Sequence, residues 1–225
     1  MSIQQQVKAK ANIIELVAVA KDYESLEQDQ KAKQQRQTTG DSLLIRLGGC
    51  KSGTETWRDY QQICFDLIKL TFKADLSSDP GWEERSEYIK GLKGLRRDIT
   101  ILNHPLNKSG CWIRFRDEDL NCKMIVFDCK NYKRKQSISE LEIYQLYGYL
   151  DPRTIGKLGV ILSRHGKLDP SAKTARRRLL QDGYEILVLK DSDLEEWIQV
   201  YIDYGSVESF FSTKYREFIN RISSN

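Results

Sequence analysis

The segment Lys123-Met124-Ile125-Val126-Phe127-Asp128-Cys129-Lys130-Asn131 is apolar through its middle and polar at both ends. A short apolar run bounded in this way reads as a strand buried in a sheet. Side chains alternate along a strand, so Asp128 and Lys130 share one face at its end. Working upstream, residues 97–102 and 112–115 read as two more strands, which makes a meander of three. Before them, residues 57–72 form a helical pattern with Tyr60, Ile63, Cys64, Leu67, Ile68 and Phe72 on one side. A loop at Asp79, Pro80 and Gly81 and a short polar helix over 82–89 connect the two parts. Downstream, residues 138–150 read as a helix with Leu141, Tyr144, Gln145 and Gly148 turned inward. A strand (158–162), a basic helix (171–181), a strand (185–189) and a helix (191–201) follow. A last helix carries Phe210, Phe211, Tyr215, Phe218 and Ile222. This order predicts an α/β fold with a mixed central sheet flanked by helices.

The chain's 225 residues suffice for one well-buried domain and a modest extension. Residues 1–42 read as a helical extension and linker, 43–203 as the compact domain, and 204–225 as a helix packing on the core or on a partner. In the extension Ile13, Leu16, Val17, Ala20, Tyr23 and Leu26 recur at helical spacing. A glutamine- and charge-rich stretch follows, and residues 38–42 read as a linker turning at Gly40 and Asp41. No apolar run is long enough to cross a bilayer, and no secretory leader pattern is present, so a cytoplasmic protein is expected. Five cysteines without a C-x-x-C pair argue against structural zinc and against a disulfide framework. The absence of a G-x-x-x-x-G-K-[ST] loop excludes a P-loop ATPase motor.

Lysine and arginine total 36 against 32 acids, a net charge of +4 that by itself says little. The basic residues are clustered, however. Lys123, Lys130, Lys133, Arg134 and Lys135 fall within residues 123–135, and Arg164, Lys167, Lys173, Arg176, Arg177 and Arg178 within residues 164–178. Phosphate is a common reason to build such faces, and a solvated helix surface is the plain alternative.

Asp98 opens a strand, and Asp128 and Lys130 close one. If the two strands are neighbours, the carboxylates come within reach of one divalent cation of the Mg²⁺ type, with a backbone carbonyl adding to the site. A lysine beside them suits phosphodiester hydrolysis, because it can orient water or stabilise charge developing on phosphate. A structural Asp128–Lys130 salt bridge is the competing reading. The other acid-x-lysine triplet, Asp29-Gln30-Lys31, sits in a polar stretch with no strand around it.

The stretches 94–103, 112–114 and 125–132, with the helix around Gln145 and the strand leading to Ser163-Arg164, resemble the PD-(D/E)XK nuclease superfamily, the restriction-endonuclease-like fold. The resemblance covers about residues 57–197. It implies a Mg²⁺-dependent DNA endonuclease, with Mn²⁺ able to substitute, such as serves in prokaryotic defence. Asp98 and Asp128 would be metal ligands together with the Cys129 carbonyl, Lys130 the catalytic lysine, and Gln145 an accessory group. Lys133, Arg134, Lys135, Arg164, Arg176, Arg177 and Arg178 would meet the nucleic-acid backbone. Where the superfamily often has a helix glutamate this chain has Gln61, and Asp66 or Glu87 are the substitutes to consider. A homodimer, or a larger complex with a separate activating or targeting subunit, is the expected assembly. An inactive nucleic-acid-binding or scaffold subunit and an RNA-cleaving nuclease are the alternatives.

Overall fold

In a computed structural model, the backbone is described for residues 3–82 and 98–223, and the side chains for 24–81 and 98–220. The elements run α1 (Ile3–Gly49), a 3₁₀ turn (Thr54–Thr56), α2 (Trp57–Phe72), β1 (Gly81–Trp82) and β2 (Ile99–Leu102). Next come α3 (Cys111–Ile113), continued by a π-helical turn (Arg114–Asp119), β3 (Met124–Lys130), α4 (Glu140–Tyr147) and β4 (Leu158–Ser163). The chain ends with α5 (Pro170–Gln181), β5 (Glu185–Lys190), α6 (Asp191–Tyr204) and α7 (Glu208–Ser223). It divides into two units, residues 1–39 and 40–225.

The sheet order is β1-β2-β3-β4-β5. The first three strands pair antiparallel and the last three parallel, so the expected mixed sheet is present. Alternation gives it two buried faces. Ile99, Ile125, Phe127, Val160, Leu162, Leu187 and Leu189 join Tyr60, Leu67, Phe72, Trp197 and Phe211 of α2, α6 and α7. On the other face Val126, Ile161 and Ile186 meet Ile143 and Leu146 of α4 and Ala172, Ala175 and Leu179 of α5. Phe72 anchors the first layer, with ring centroids 5.1 Å from Trp112, 5.6 Å from Trp197 and 5.4 Å from Phe211. The terminal helix therefore packs on the core, where Phe210 and Phe211 are buried.

Four local expectations are corrected. Residues 112–115 are not a strand. Trp112 and Phe115 lie three apart and are both buried, which a helical turn permits and the alternation of a strand does not. The third member of the meander is instead β1, so Trp82 is in a strand; residues 83–89 lie outside the described residues. On α4 the inward residues are Ile143 and Leu146, while Leu141 is 74% exposed and Gly148 is also exposed. A capping box at Ser139 and Glu142 starts this helix later than the periodicity suggested and sets its rotation. The last correction concerns residues 38–42, which continue α1 rather than forming a linker. Thr38 and Thr39 donate back to the carbonyls of Gln34 and Gln35 at 3.0 and 2.9 Å, which accommodates both in a helix. Gly40 is a packing position, not a turn: a Cβ there would lie 2.6 Å from Ile202 Cδ1 of α6.

Gly156, in the turn before β4, has φ of +115°, and a Cβ there would lie 2.5 Å from the Asn121 carbonyl oxygen. Both the backbone angle and the rigid neighbour forbid a side chain. Gly156→Ala is expected to lower stability by about 2–4 kcal/mol in urea unfolding.

Candidate active site

Ile99 of β2 pairs with Phe127 of β3. One further step along this antiparallel register sets Asp98 opposite Asp128. Phe127 faces the α2 layer, so alternation turns Asp128 and Lys130 to the α4 side. The Asp98 carboxylate accepts a hydrogen bond from the Cys129 N–H at 2.8 Å. Lys130 Nζ lies 2.8 Å from Asp128 Oδ2, with the two side chains only 15% and 11% exposed. Neighbouring strands thus bring the three expected residues together.

The electrostatics follow from crowding two acids into a poorly solvated corner. Burial raises the Asp98 pKa to about 6, the facing Asp128 adds to this, and the Cys129 hydrogen bond and Lys130 oppose it. For Lys130 burial works against the charge, but Asp128, Asp98 and Glu142 outweigh it and hold the ammonium above its usual range. Asp128 Oδ2 is sealed from solvent and makes no aligned hydrogen bond. One lysine therefore answers two adjoining carboxylates. Such a pair fits a hard divalent cation of the Mg²⁺ kind, which takes few protein oxygens and keeps several waters. Among the described residues no group of three His, Cys, Asp or Glu side chains converges on a metal-sized site.

The sign of the Asp98 shift makes a stability prediction. A carboxyl raised from 3.8 to about 6 binds its proton more tightly in the folded state. Its contribution is full below about pH 3.8 and is lost as pH rises through about 6. Asp98→Asn is therefore expected to stabilise the fold at pH 8, by on the order of 1–3 kcal/mol and with a correspondingly higher Tm, and to leave stability unchanged near pH 3.5. Mg²⁺ should stabilise the wild type at pH 8 and not at pH 4.5, where Asp98 is protonated. Thermal melts at the three pH values read both.

Of the other candidate ligands, Asp66 pairs with Arg46 at 2.8 Å and accepts from Gln62 at 2.8 Å. It is committed to the α1–α2 contact and does not join Asp98 and Asp128. Glu87 lies outside the described residues. Gln61 is buried in α2 with its Nε2 unpaired. Cys129 contributes its N–H to the site through Asp98. Gln145 is half-buried on α4 and makes no hydrogen bond to Asp98, Asp128 or Lys130.

The basic residues separate into two kinds. Lys133, Arg134 and Lys135 are exposed on the loop directly after β3, and Arg177 and Arg178 are exposed on α5. Arg176 turns inward, donating to the Ile186 carbonyl at 2.6 Å with its guanidinium 3.9 Å from the Phe218 ring centroid. Arg164 is also not a surface contact. It pairs with Asp191 at 3.0 Å, donates to the Leu47 carbonyl at 3.1 Å and lies over the Tyr60 ring. At the end of β4 its guanidinium meets Asp191, a partly buried acid at the head of α6.

Two supporting residues escaped the sequence reading. Glu142 accepts hydrogen bonds from the Ser139 N–H and hydroxyl and from the Tyr132 hydroxyl, and its charge reaches Lys130. The Ser-x-x-Glu spacing of a capping box was its available signal. Asn131 is buried and donates to the Lys51 and Gly53 carbonyls at 3.1 and 2.9 Å and to Thr56 Oγ1 at 3.0 Å. It pins the α1–α2 connection to the end of β3, a long-range role that leaves no local pattern.

Comparison with family models, with curated proteins and with solved structures returns no match. Among the described residues no helix is long and apolar enough to cross a membrane.

Proposed function

We propose that this chain is a divalent-metal-dependent nuclease of the PD-(D/E)XK kind, hydrolysing phosphodiester bonds in DNA. The observation that carries the reading is the meeting of Asp98, Asp128 and Lys130 where β2 and β3 pair, with the buried Asp128 and the half-buried Asp98 answered by one ammonium. Asp98 and Asp128 would hold Mg²⁺ or Mn²⁺. The bound ion would supply Lewis acidity toward phosphate oxygens and toward water. Asp98, fixed by the Cys129 N–H, presents its carboxylate toward Asp128. Lys130, kept charged by its acidic neighbours, stabilises negative charge developing on the phosphate. Lys133, Arg134 and Lys135 leave the same strand and give the backbone of a substrate an electrostatic track, with Arg177 and Arg178 a second basic patch on α5. Such contacts carry affinity without sequence information, so target choice falls to a partner subunit or to self-association.

The test is incubation of the purified protein with duplex DNA, single-stranded DNA and RNA in Mg²⁺, Mn²⁺ or EDTA. Metal-dependent cleavage of DNA, lost in EDTA, supports the reading; cleavage of RNA alone transfers the same site to the other polymer. A second reading, a nuclease-fold subunit that binds without cutting, draws on the buried Gln61 and on the formed Asp128–Lys130 ion pair. Binding to DNA without cleavage in either metal selects it.

A further inference from the structure

β5 is the last strand in the sheet order, so one of its edges has no neighbouring strand among the described residues. Hydrogen bonds fix which backbone groups lie on that edge. The Glu185 N–H donates to the Lys157 carbonyl at 2.8 Å and the Asp191 N–H to the Arg164 carbonyl at 3.4 Å, so the odd-numbered residues turn toward β4. The even-numbered ones turn outward. The Ile186 carbonyl accepts from Arg176 Nε at 2.6 Å, and the Lys190 N–H donates to the Asp193 carboxylate at 2.9 Å. Side chains thus close the edge at both ends. Between them Val188 presents an N–H and a C=O on which, among the described residues, no protein group sits.

A cavity of about 430 Å³ lies along this stretch, lined by Leu187, Val188, Leu189 and Lys190 in succession. Strand side chains alternate between the two faces, so four residues in a row can share a cavity only along the strand's edge. Leu168, in the loop before α5, and Phe218 of α7 supply apolar walls. Arg176, Lys190 and Lys214 bring positive charge, against Asp193 and Glu217. Lys214 is shared between Asp193 and Glu196, at 2.9 and 2.7 Å. Lys190 and His165 are exposed, and among the described residues neither joins an ion pair. The edge does not suit a long guest strand, which needs successive N–H and C=O groups, because Ile186 and Lys190 each have one already taken. What remains is one donor and one acceptor side by side. A nucleobase meets that pattern with a ring nitrogen or carbonyl and an adjacent N–H.

We propose that this cavity binds a nucleotide, its base hydrogen-bonded to the backbone of Val188 and its phosphate on Lys190. The site does not rest on the proposed activity. Lys190 and Lys130 both stand level with Ser163 in the strand register. The cavity therefore lies two strand spacings, about 10 Å across the sheet, from Lys130. The nucleotide can be free or can be the terminal unit of a nucleic-acid strand, and the chemistry at Val188 is the same for both.

The experiment is nuclear magnetic resonance of the full chain carrying isotopically labelled valine, in EDTA so that no strand is cut. The Val188 amide resonance is assigned through Val188→Ile. AMP, CMP, GMP, UMP and a phosphorylated DNA tetranucleotide are titrated separately. At least one is expected to move the Val188 resonance saturably. Lys190→Glu should weaken that binding by about tenfold or more. Leu168→Trp, which fills the cavity, should abolish it, and in both variants unmoved resonances of the buried Val126 and Val160 show that the sheet is intact. Saturation by a mononucleotide supports the proposal with a free ligand; a shift with the tetranucleotide alone supports it with a strand end. A Val188 resonance unmoved by every one of them, or binding untouched by both variants, would overturn it. So would a Val188 resonance that moves with protein concentration instead, as a second copy on the edge would cause.

Discussion

Lys130→Ala is expected to reduce metal-dependent DNA cleavage by about 10²–10³-fold while leaving DNA affinity within a small factor of wild type. The expectation follows from the position of its ammonium, 2.8 Å from Asp128 and largely buried. Such a group is poorly placed to hold a long polyanion by itself, yet well placed to meet charge that develops on one phosphate. Binding should persist because Lys133, Arg134, Lys135, Arg177 and Arg178 are exposed and untouched by the change. The variant also distinguishes catalysis from structure. If Lys130 served only as the salt-bridge partner of Asp128, the variant would melt lower and cut normally. Asp128→Asn provides the complementary test, since it removes a proposed metal ligand but preserves shape. Its cleavage should fall at least as far, and its Mg²⁺-dependent rise in Tm at pH 8 should shrink.

The largest stability loss is expected at Arg164. This side chain bridges the Asp191 carboxylate at the head of α6, the Leu47 carbonyl at the end of α1 and the ring of Tyr60 in α2. Burial already raises the Asp191 pKa to about 6, against the opposing pull of Arg164 and the Tyr60 hydroxyl. Arg164→Ala strips that partly buried acid of its cation and leaves it the Tyr60 hydroxyl, at a cost of about 3–5 kcal/mol in urea unfolding near pH 8. The loss should be smaller at pH 5, because a carboxyl with a raised pKa is stabilised below its folded value and penalised above it. Arg164→Ala/Asp191→Asn should recover part of the stability at pH 8 and show little pH dependence of its own. Equal destabilisation at both pH values would show that packing over Tyr60, rather than charge, is what Arg164 supplies.

Much of the layered α/β plan is legible in the order of residues along the chain. Buried strands announce themselves as short apolar runs, and the helices between them carry a clear apolar stripe, so residues 57–72, 124–129, 158–162 and 185–189 were readable without knowledge of their neighbours. The same local logic put Asp128 and Lys130 on one face. It could not bring Asp98 to them, because that depends on which strands pair and in what register, and pairing is a long-range choice. Nor could it tell the strand from the helical turn at Trp112–Phe115: a short apolar segment has no period long enough to declare itself, and contact with Phe72 and Tyr215 decided the matter. Gly40 looked like a turn because glycine allows one, whereas close approach to Ile202 requires the same residue for a different reason. Arg164 and Arg176 looked like surface charge and were drawn inward by Asp191 and by the Ile186 carbonyl with the Phe218 ring. Charge and apolar pattern are written along the chain; which charge is answered, and by what, is settled only when distant segments meet.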